Sequence, residues 1–326
     1  MPTRTQHVQV SVNLDQVRAS AEAIRRHTQV DLIGVVKADA YGLGAGRIAD
    51  VLAPVVSEFA YFTVSEAREV GRPGLVLGPP EGEPAEYREL GLRPTVGNAV
   101  DAERFRGLPV AIEFDAGMQR FGCPAEELDE LAARCDVVDY YAHAATLESA
   151  LRLKAACGHR GKRCHAAATS LLERPEAWLD AVRPGLALYR RALRVTTRLH
   201  TIRQTRGPVG YTGFHCPLVG VILAGYANLL EPGPVLINGR PQRIIEVGMN
   251  TAFVTVDPPD RVGDEVVLLD DKLNEDVLAA HHRVRPHEIL CRYAAIGHRQ
   301  YITGGPIFTS NWHGTSRATV AAPRET

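Results

Sequence analysis

Between residue 12 and about residue 206 the apolar positions switch repeatedly between a helical period and short unbroken runs. Leu14, Val17, Ala21 and Ile24 share one helix face, and the stretch closes on Arg25-Arg26-His27. The run Leu32-Ile33-Gly34-Val35-Val36 follows, too short for a helix and apolar throughout, as a strand covered on both sides would be. Residues 45–53 are helical in period, 59–64 strand-like, and Ser65 is placed to cap a helix opening on Glu66. Leu75-Val76-Leu77, Thr95-Val96, 110–114 and 137–141 continue the strand series, with helix-like stretches between them. Strands alternating with helices over this length predict a parallel α/β fold. A compact (β/α)₈ barrel is the first choice and a doubly wound sheet the alternative. No Gly-x-Gly-x-x-Gly follows the first strand, and the Gly42-x-Gly44-x-Gly46 spacing is by itself weak evidence for a nucleotide.

After Arg206 the helical period fades. Short strands at 219–224, 235–237, 244–247, 253–256 and 265–269 are bounded by Gly, Pro and Asn, and Asn238-Gly239 is a hairpin-turn dipeptide. The pattern predicts a second, all-β domain over 207–326, with residues 1–11 pairing with it.

Composition narrows the function classes. Of 326 residues, 45% are hydrophobic and 23% charged, and the formal net charge is −1, so neither a disordered chain nor a strong field for nucleic acid or an anionic membrane is indicated. The first residues lack the apolar core of a signal peptide, and no apolar run reaches a membrane span, which predicts a cytoplasmic protein. The six cysteines fall at no framework spacing and are expected to be free thiols. Cys157, His159, Cys164 and His165 lie close together but match no zinc spacing, so no metal is expected. Among the 37 basic residues only four are lysines: Lys37, Lys154, Lys162 and Lys272. Some chemistry needs a side-chain amine that can lose its proton, and arginine cannot supply it.

Lys37 ends the first strong strand, in Val35-Val36-Lys37-Ala38-Asp39-Ala40-Tyr41-Gly42. In a barrel, strand C-termini line the catalytic face. A lysine emerging there from an apolar run is partly desolvated, which favours the neutral amine that forms a Schiff base with an aldehyde. The spacing alone equally allows a strand-end lysine reaching solvent.

The octapeptide resembles the pyridoxal-phosphate lysine motif of the alanine racemase family, and further similarities follow in the same order. They are Phe114-Asp115-Ala116-Gly117-Met118-Gln119-Arg120-Phe121-Gly122, Tyr141-Ala142-His143-Ala144, Val182-Arg183-Pro184-Gly185-Leu186-Ala187-Leu188-Tyr189, Val209-Gly210-Tyr211-Thr212, Gly225-Tyr226-Ala227-Asn228, Val247-Gly248-Met249-Asn250 and Glu288-Ile289-Leu290-Cys291-Arg292. The resemblance runs from about residue 7 to 301.

It implies a pyridoxal 5'-phosphate-dependent amino-acid racemase or epimerase working with two bases, Lys37 and Tyr211. Lys37 would hold the cofactor covalently. Tyr41, Thr169 and the backbone N–H groups of Gly185 and Leu186 would bind its phosphate. His143 would pack on the pyridine ring and bond Arg183, which would face the ring nitrogen. Arg120 would bind the substrate carboxylate, with Glu113 orienting it as a bidentate partner, and Met249 would contribute a backbone N–H. Tyr211 and Met249 would come from the partner subunit of a homodimer. Without the resemblance, Tyr211 would read as a packing residue and Arg120 as half of a surface ion pair. Two alternatives stay open: a relative recruited to another Cα reaction, such as aldol cleavage, decarboxylation or cyclisation, and a non-catalytic cofactor-binding homologue.

The chain departs from the family pattern where substrate enters and binds. Counting from Cys291, the tyrosine that narrows the entrance falls on Ala295; Asn250 and Asn228 stand for aspartates after Met249 and Ala227; the loop between His143 and His165 is compressed; and Glu113 stands where a carbamylated lysine is common. These changes leave both bases in place and point to a substrate other than alanine.

Overall fold

The computed structural model describes residues 5–308. They form two compact units, one of Asn13–Ala192 with Ile302–Phe308, the other of residues 5–12 with Leu193–Tyr301. The strands in chain order are β1 (Thr5–Asn13), β2 (Asp31–Val35), β3 (Glu58–Tyr61), β4 (Gly74–Val76), β5 (Leu92–Arg93), β6 (Thr95–Val96), β7 (Pro109–Glu113), β8 (Asp136–Ala144), β9 (Arg163–Ala167), β10 (Ala181–Val182), β11 (Leu193–Gln204), β12 (Leu218–Ile222), β13 (Gly233–Ile237), β14 (Arg240–Val247), β15 (Ala252–Thr255), β16 (Glu265–Leu269) and β17 (Gly297–Ile302).

The first unit is a nearly closed parallel barrel of TIM type, in the order β5-β4-β3-β2-β10-β9-β8-β7-β6. Its seam is a consequence of one residue. β5 and β6 are halves of a single strand divided by Pro94, which has no N–H to give the ladder; its carbonyl still accepts from Ala111 N–H at 3.0 Å. The first half pairs with β4 and the second with β7, so the two ends of the row meet there. The interior strands are apolar because both of their faces are covered: Leu32, Ile33, Val35, Val110, Ala111 and Ile112 are all buried.

Local chemistry sets the helices that wrap the barrel. Asn13 caps Leu14–Thr28 by accepting from Gln16 N–H, and Val17, Ala21 and Ile24 of that helix are buried. The helix expected from Ser65 instead covers Val64–Val70 and is capped by Thr63. Thr63 and Glu66 complete a reciprocal capping box, which satisfies two backbone N–H groups where Ser65 would have satisfied one.

The second unit is an antiparallel sheet in the order β12-β15-β14-β13-β16-β11-β1-β17, closed on itself by a further β11–β12 pairing. Asn238 and Gly239, both at positive φ (51° and 75°), form the β13–β14 hairpin turn. The expected domain boundary at 206 is displaced. Leu193–Gln204 pairs only with antiparallel strands and alternates buried Leu193, Val195 and Leu199 with exposed Arg194, Arg198 and His200. Two helices, Glu275–His282 and Pro286–Ala295, accompany the sheet, with Asn274 capping the first. No helix among the described residues is long and apolar enough to cross a membrane.

Candidate active site

Barrel order places the chemistry. β2, β10, β9, β8 and β7 are consecutive neighbours, and at or just past their C-terminal ends stand Lys37, Arg183, Thr169, His143 and Glu113. This end of a parallel barrel is where loops converge on a site. Lys37 and Arg183 emerge from strands in direct register, Val182 opposite Leu32.

Lys37 opens an unusual turn. Ala38, Asp39 and Ala40 all have left-handed φ/ψ, and Tyr41 (φ 59°) and Gly42 (φ 85°) continue the positive run. Left-handed backbone costs an L-residue roughly 1–2 kcal/mol each, so the turn is held from outside. Glu66 accepts from the N–H groups of Ala38 (2.8 Å) and Phe62 (2.6 Å), and Asp39 accepts from Ala45 N–H (2.7 Å). Lys37 Nζ lies 5.8 Å from the centroid of the Phe62 ring.

The turn delivers Tyr41 to Gly185. A Cβ built on Gly185 would fall 2.7 Å from Cζ of Tyr41 and nearer still to its hydroxyl, so only glycine fits. Tyr41 is itself backed by Tyr189, with ring centroids 5.2 Å apart, and Tyr189 donates to the Val35 carbonyl at 2.6 Å. Gly185 and Leu186 open the short helix Leu186–Tyr189, whose first N–H groups have no partner within the helix. The Thr169 hydroxyl accepts from Ala187 N–H at 3.0 Å and retains its own O–H to donate.

Arg183 is 5% exposed. It donates to His165 Nδ1 and to the Ala142 carbonyl (3.1 Å), and its guanidinium lies 4.7 Å from the centre of the Tyr141 ring. His165 is fully buried and stacks flat on Tyr141 at 5.3 Å. Burial is the main reason its pKa falls to about 3; Asp139 pulls upward and Arg183 pushes down. A guanidinium has no acceptor, so Nδ1 must accept, and the neutral ring carries its proton on Nε2. That nitrogen faces Asp139 Oδ2 at 3.9 Å. Burial alone would raise Asp139, but His165 and Arg163 more than offset it and hold the carboxyl well below the usual range. Asp139 belongs to an ion-pair cluster with Arg163 (2.7 Å), Arg93 (2.6 Å) and Glu58; Glu58 and Arg163 are the first residues of β3 and β9, so the cluster lies toward the N-terminal end of the barrel strands.

Spacing alone marks His165 only as one of four neighbouring cysteines and histidines that match no zinc pattern. The signal that marks it is position: it sits inside a barrel strand, flanked by Cys164 and Ala166, four residues before Thr169. His143 is half-buried in β8, two residues beyond Tyr141 along the strand. The expected bidentate Glu113–Arg120 pair is not formed. Their closest approach is 3.5 Å: Glu113 is buried and also meets the Tyr141 hydroxyl (3.4 Å), whereas Arg120 lies partly exposed against the Phe121 ring. Burial raises Glu113 despite the opposing charges of Arg120 and Arg183.

In the sheet unit, Tyr211 is 87% exposed and Met249 56%. Tyr226 N–H donates to the Gly248 carbonyl (2.9 Å), Ala227 N–H to that of Met249 (3.0 Å), and Gly248 lies beside the Tyr211 ring. Tyr211, Tyr226 and Met249 therefore share one surface.

Residues 12–192 match the family profile "Alanine racemase, N-terminal domain". The chain belongs to the alanine racemase family. The alanine racemase of Nitrosococcus oceani is 28% identical over 86% of this chain and 97% of its own length. That of Carboxydothermus hydrogenoformans is 30% identical over 83% and 92%. Among solved structures, the biosynthetic alanine racemase of Pseudomonas aeruginosa superposes with a TM-score of 0.83 at 24% identity, covering 91% of this chain and all of its own. The Bartonella henselae alanine racemase, described with covalently bound pyridoxal phosphate, gives 0.82 at 21% identity over 91% and 100%.

Proposed function

We propose that this chain is a pyridoxal 5'-phosphate-dependent amino-acid racemase, and that Lys37 and Tyr211 move the Cα proton on opposite faces of the substrate. The observation that carries the reading is the cradle at Gly185, where a side chain is excluded by Tyr41, next to a buried, permanently charged Arg183 on the strand adjoining Lys37. The donor set fits the cofactor. Lys37 would be the covalent anchor; Tyr41, Thr169 and the N–H groups of Gly185 and Leu186 would hold the phosphate; Arg183 would serve the ring nitrogen; and His143 would pack against the ring. When bound, the cofactor withdraws electrons from Cα of the attached amino acid and acidifies its hydrogen.

The protein's residues then decide what happens to that proton. Lys37 takes or returns it on one face. Tyr211 does so on the other. Arg183 cannot give up its own proton, so beside the ring nitrogen it would leave that atom unprotonated, which would favour return of the proton to Cα over side reactions. Neutral His165 keeps the guanidinium fixed without competing for charge. Arg120 and the Met249 N–H orient the substrate carboxylate.

The exposed surface of Tyr211, Tyr226 and Met249 supports a homodimer in which Tyr211 and Met249 of one protomer complete the barrel face of the other. The substitutions Ala295, Asn250 and Glu113 favour a substrate other than alanine, or a different Cα reaction on the same scaffold.

Borohydride reduction of the holoenzyme tests the anchor. The label is expected on Lys37, and label on Lys154, Lys162 or Lys272 refutes the assignment. Enantiomers have equal free energy, so overall kcat/KM must be the same in both directions. The bases are separated by solvent-deuterium exchange at Cα of each enantiomer. Tyr211→Phe is expected to abolish exchange of one enantiomer and spare the other, with cofactor still bound. Equal losses in both mean that Tyr211 is structural.

A further inference from the structure

Tyr211 stands in the turn between Val209 and Phe214, which are joined as an antiparallel bridge. Gly210 and Gly213 flank it, both at φ 69°. The turn closes around one carboxylate. Glu246 Oε1 accepts from Tyr211 N–H at 2.8 Å, and Oε2 accepts from Thr212 N–H (2.7 Å) and the Thr212 hydroxyl (2.6 Å). Successive N–H groups turned toward one anion form a backbone nest. Glu246 is 8% exposed, and a Cβ on Gly210 would lie 2.9 Å from its Cδ and nearer still to Oε1, so the turn fits the carboxylate without spare room.

A β-bulge is what aims Glu246 there. Ile244 pairs with Val254, which in unbroken antiparallel register would set residue 246 opposite Ala252, on the core-facing side of β15. The register shifts between Ile244 and Glu246, and Glu246 pairs with Phe253 instead. One extra residue thus moves the carboxylate to the other face. Phe253 grips the same turn, its ring edge-on to Phe214 at 5.5 Å.

We propose that Glu246 is a positioning residue for the Tyr211 base: with Phe253 opposite, it fixes the turn so that the phenol is presented in one orientation. This rests on the reading of Tyr211 as the second base.

The test compares Glu246→Ala, Glu246→Gln and Thr212→Val with Tyr211→Phe in the holoenzyme. The readouts are deuterium exchange at Cα of each enantiomer, cofactor absorbance and thermal melting. For Glu246→Ala, exchange of the enantiomer that depends on Tyr211 is expected to fall roughly 10- to 100-fold, the scale of a misplaced catalytic group. Exchange of the Lys37-dependent enantiomer and cofactor content should stay near wild type. Glu246→Gln keeps an acceptor oxygen and should recover part of the loss. Thr212→Val removes one of the three contacts without touching the strand, so it should show a smaller loss of the same selectivity even where Glu246→Ala misfolds. Equal loss in both enantiomers, or no loss in either, across the Glu246 and Thr212 variants while Tyr211→Phe stays selective overturns the positioning role alone. A non-selective Tyr211→Phe overturns the base assignment and this inference with it.

Discussion

Gly185→Ala probes the cofactor cradle at its tightest point. The added methyl meets Cζ of Tyr41 at 2.7 Å and its hydroxyl closer still. Tyr41 has little room to retreat, being 9% exposed and backed by Tyr189, whose hydroxyl is tied to Val35. Forcing a methyl into a packed site costs about 1–3 kcal/mol. If the ring swings away to relieve the clash, that cost falls on phosphate binding, where it corresponds to roughly 5- to 150-fold weaker cofactor affinity. Fluorescence titration of the apoprotein with pyridoxal 5'-phosphate reads the affinity, and melting of the apoprotein reads any part of the cost paid in stability. Adding Tyr41→Phe removes the nearest atom, so the two changes should be strongly non-additive. A Gly185→Ala protein that binds within twofold of wild type, with additive Tyr41→Phe, refutes the cradle.

Two further outcomes follow from the same geometry. His165 is lowered from 6.5 to about 3 in the folded chain, so its contribution to stability is complete above about pH 6.5 and is lost as pH falls toward 3; in that window the slope approaches about 1.4 kcal/mol per pH unit, because only the unfolded state takes the proton. Urea unfolding at several pH values should show a shallower acid-side slope in His165→Gln, and an unchanged slope refutes the neutral, buried histidine. Ala295→Tyr should tighten cofactor binding and shift preference toward small substrates; a wild type that prefers alanine, together with a variant changed in neither property, refutes the open entrance.

The parallel strands were legible because burial on both faces leaves unbroken apolar runs such as 32–36, and Lys37 stood out as a charge ending one of them. The barrel seam was not, since two two-residue strands either side of Pro94 carry no period. The domain boundary was missed because β11 begins inside a segment whose arginines read equally as a helix face. His165 looked unremarkable in isolation, and only its strand neighbours Tyr141 and Asp139, over twenty residues away, give it a role. Glu246 was invisible for the same reason: its partners lie 34 and 35 residues upstream, and a bulge that no local pattern announces sets its direction.

The left-handed turn after Lys37 reverses an ordinary mutational rule. In a right-handed helix, Ala→Gly is destabilising by about 1 kcal/mol. At Ala38 and Ala40 the backbone already occupies the region that glycine enters freely, so the sign inverts: glycine relaxes the turn, and β-branched residues are the ones it rejects. The chain nonetheless carries Ala-Asp-Ala-Tyr there. Such a segment trades fold stability for stiffness. A glycine would let the loop sample many conformations and take the anchoring amine with it, whereas side chains confined to one narrow well hold Lys37 and Tyr41 at a fixed separation before any ligand arrives.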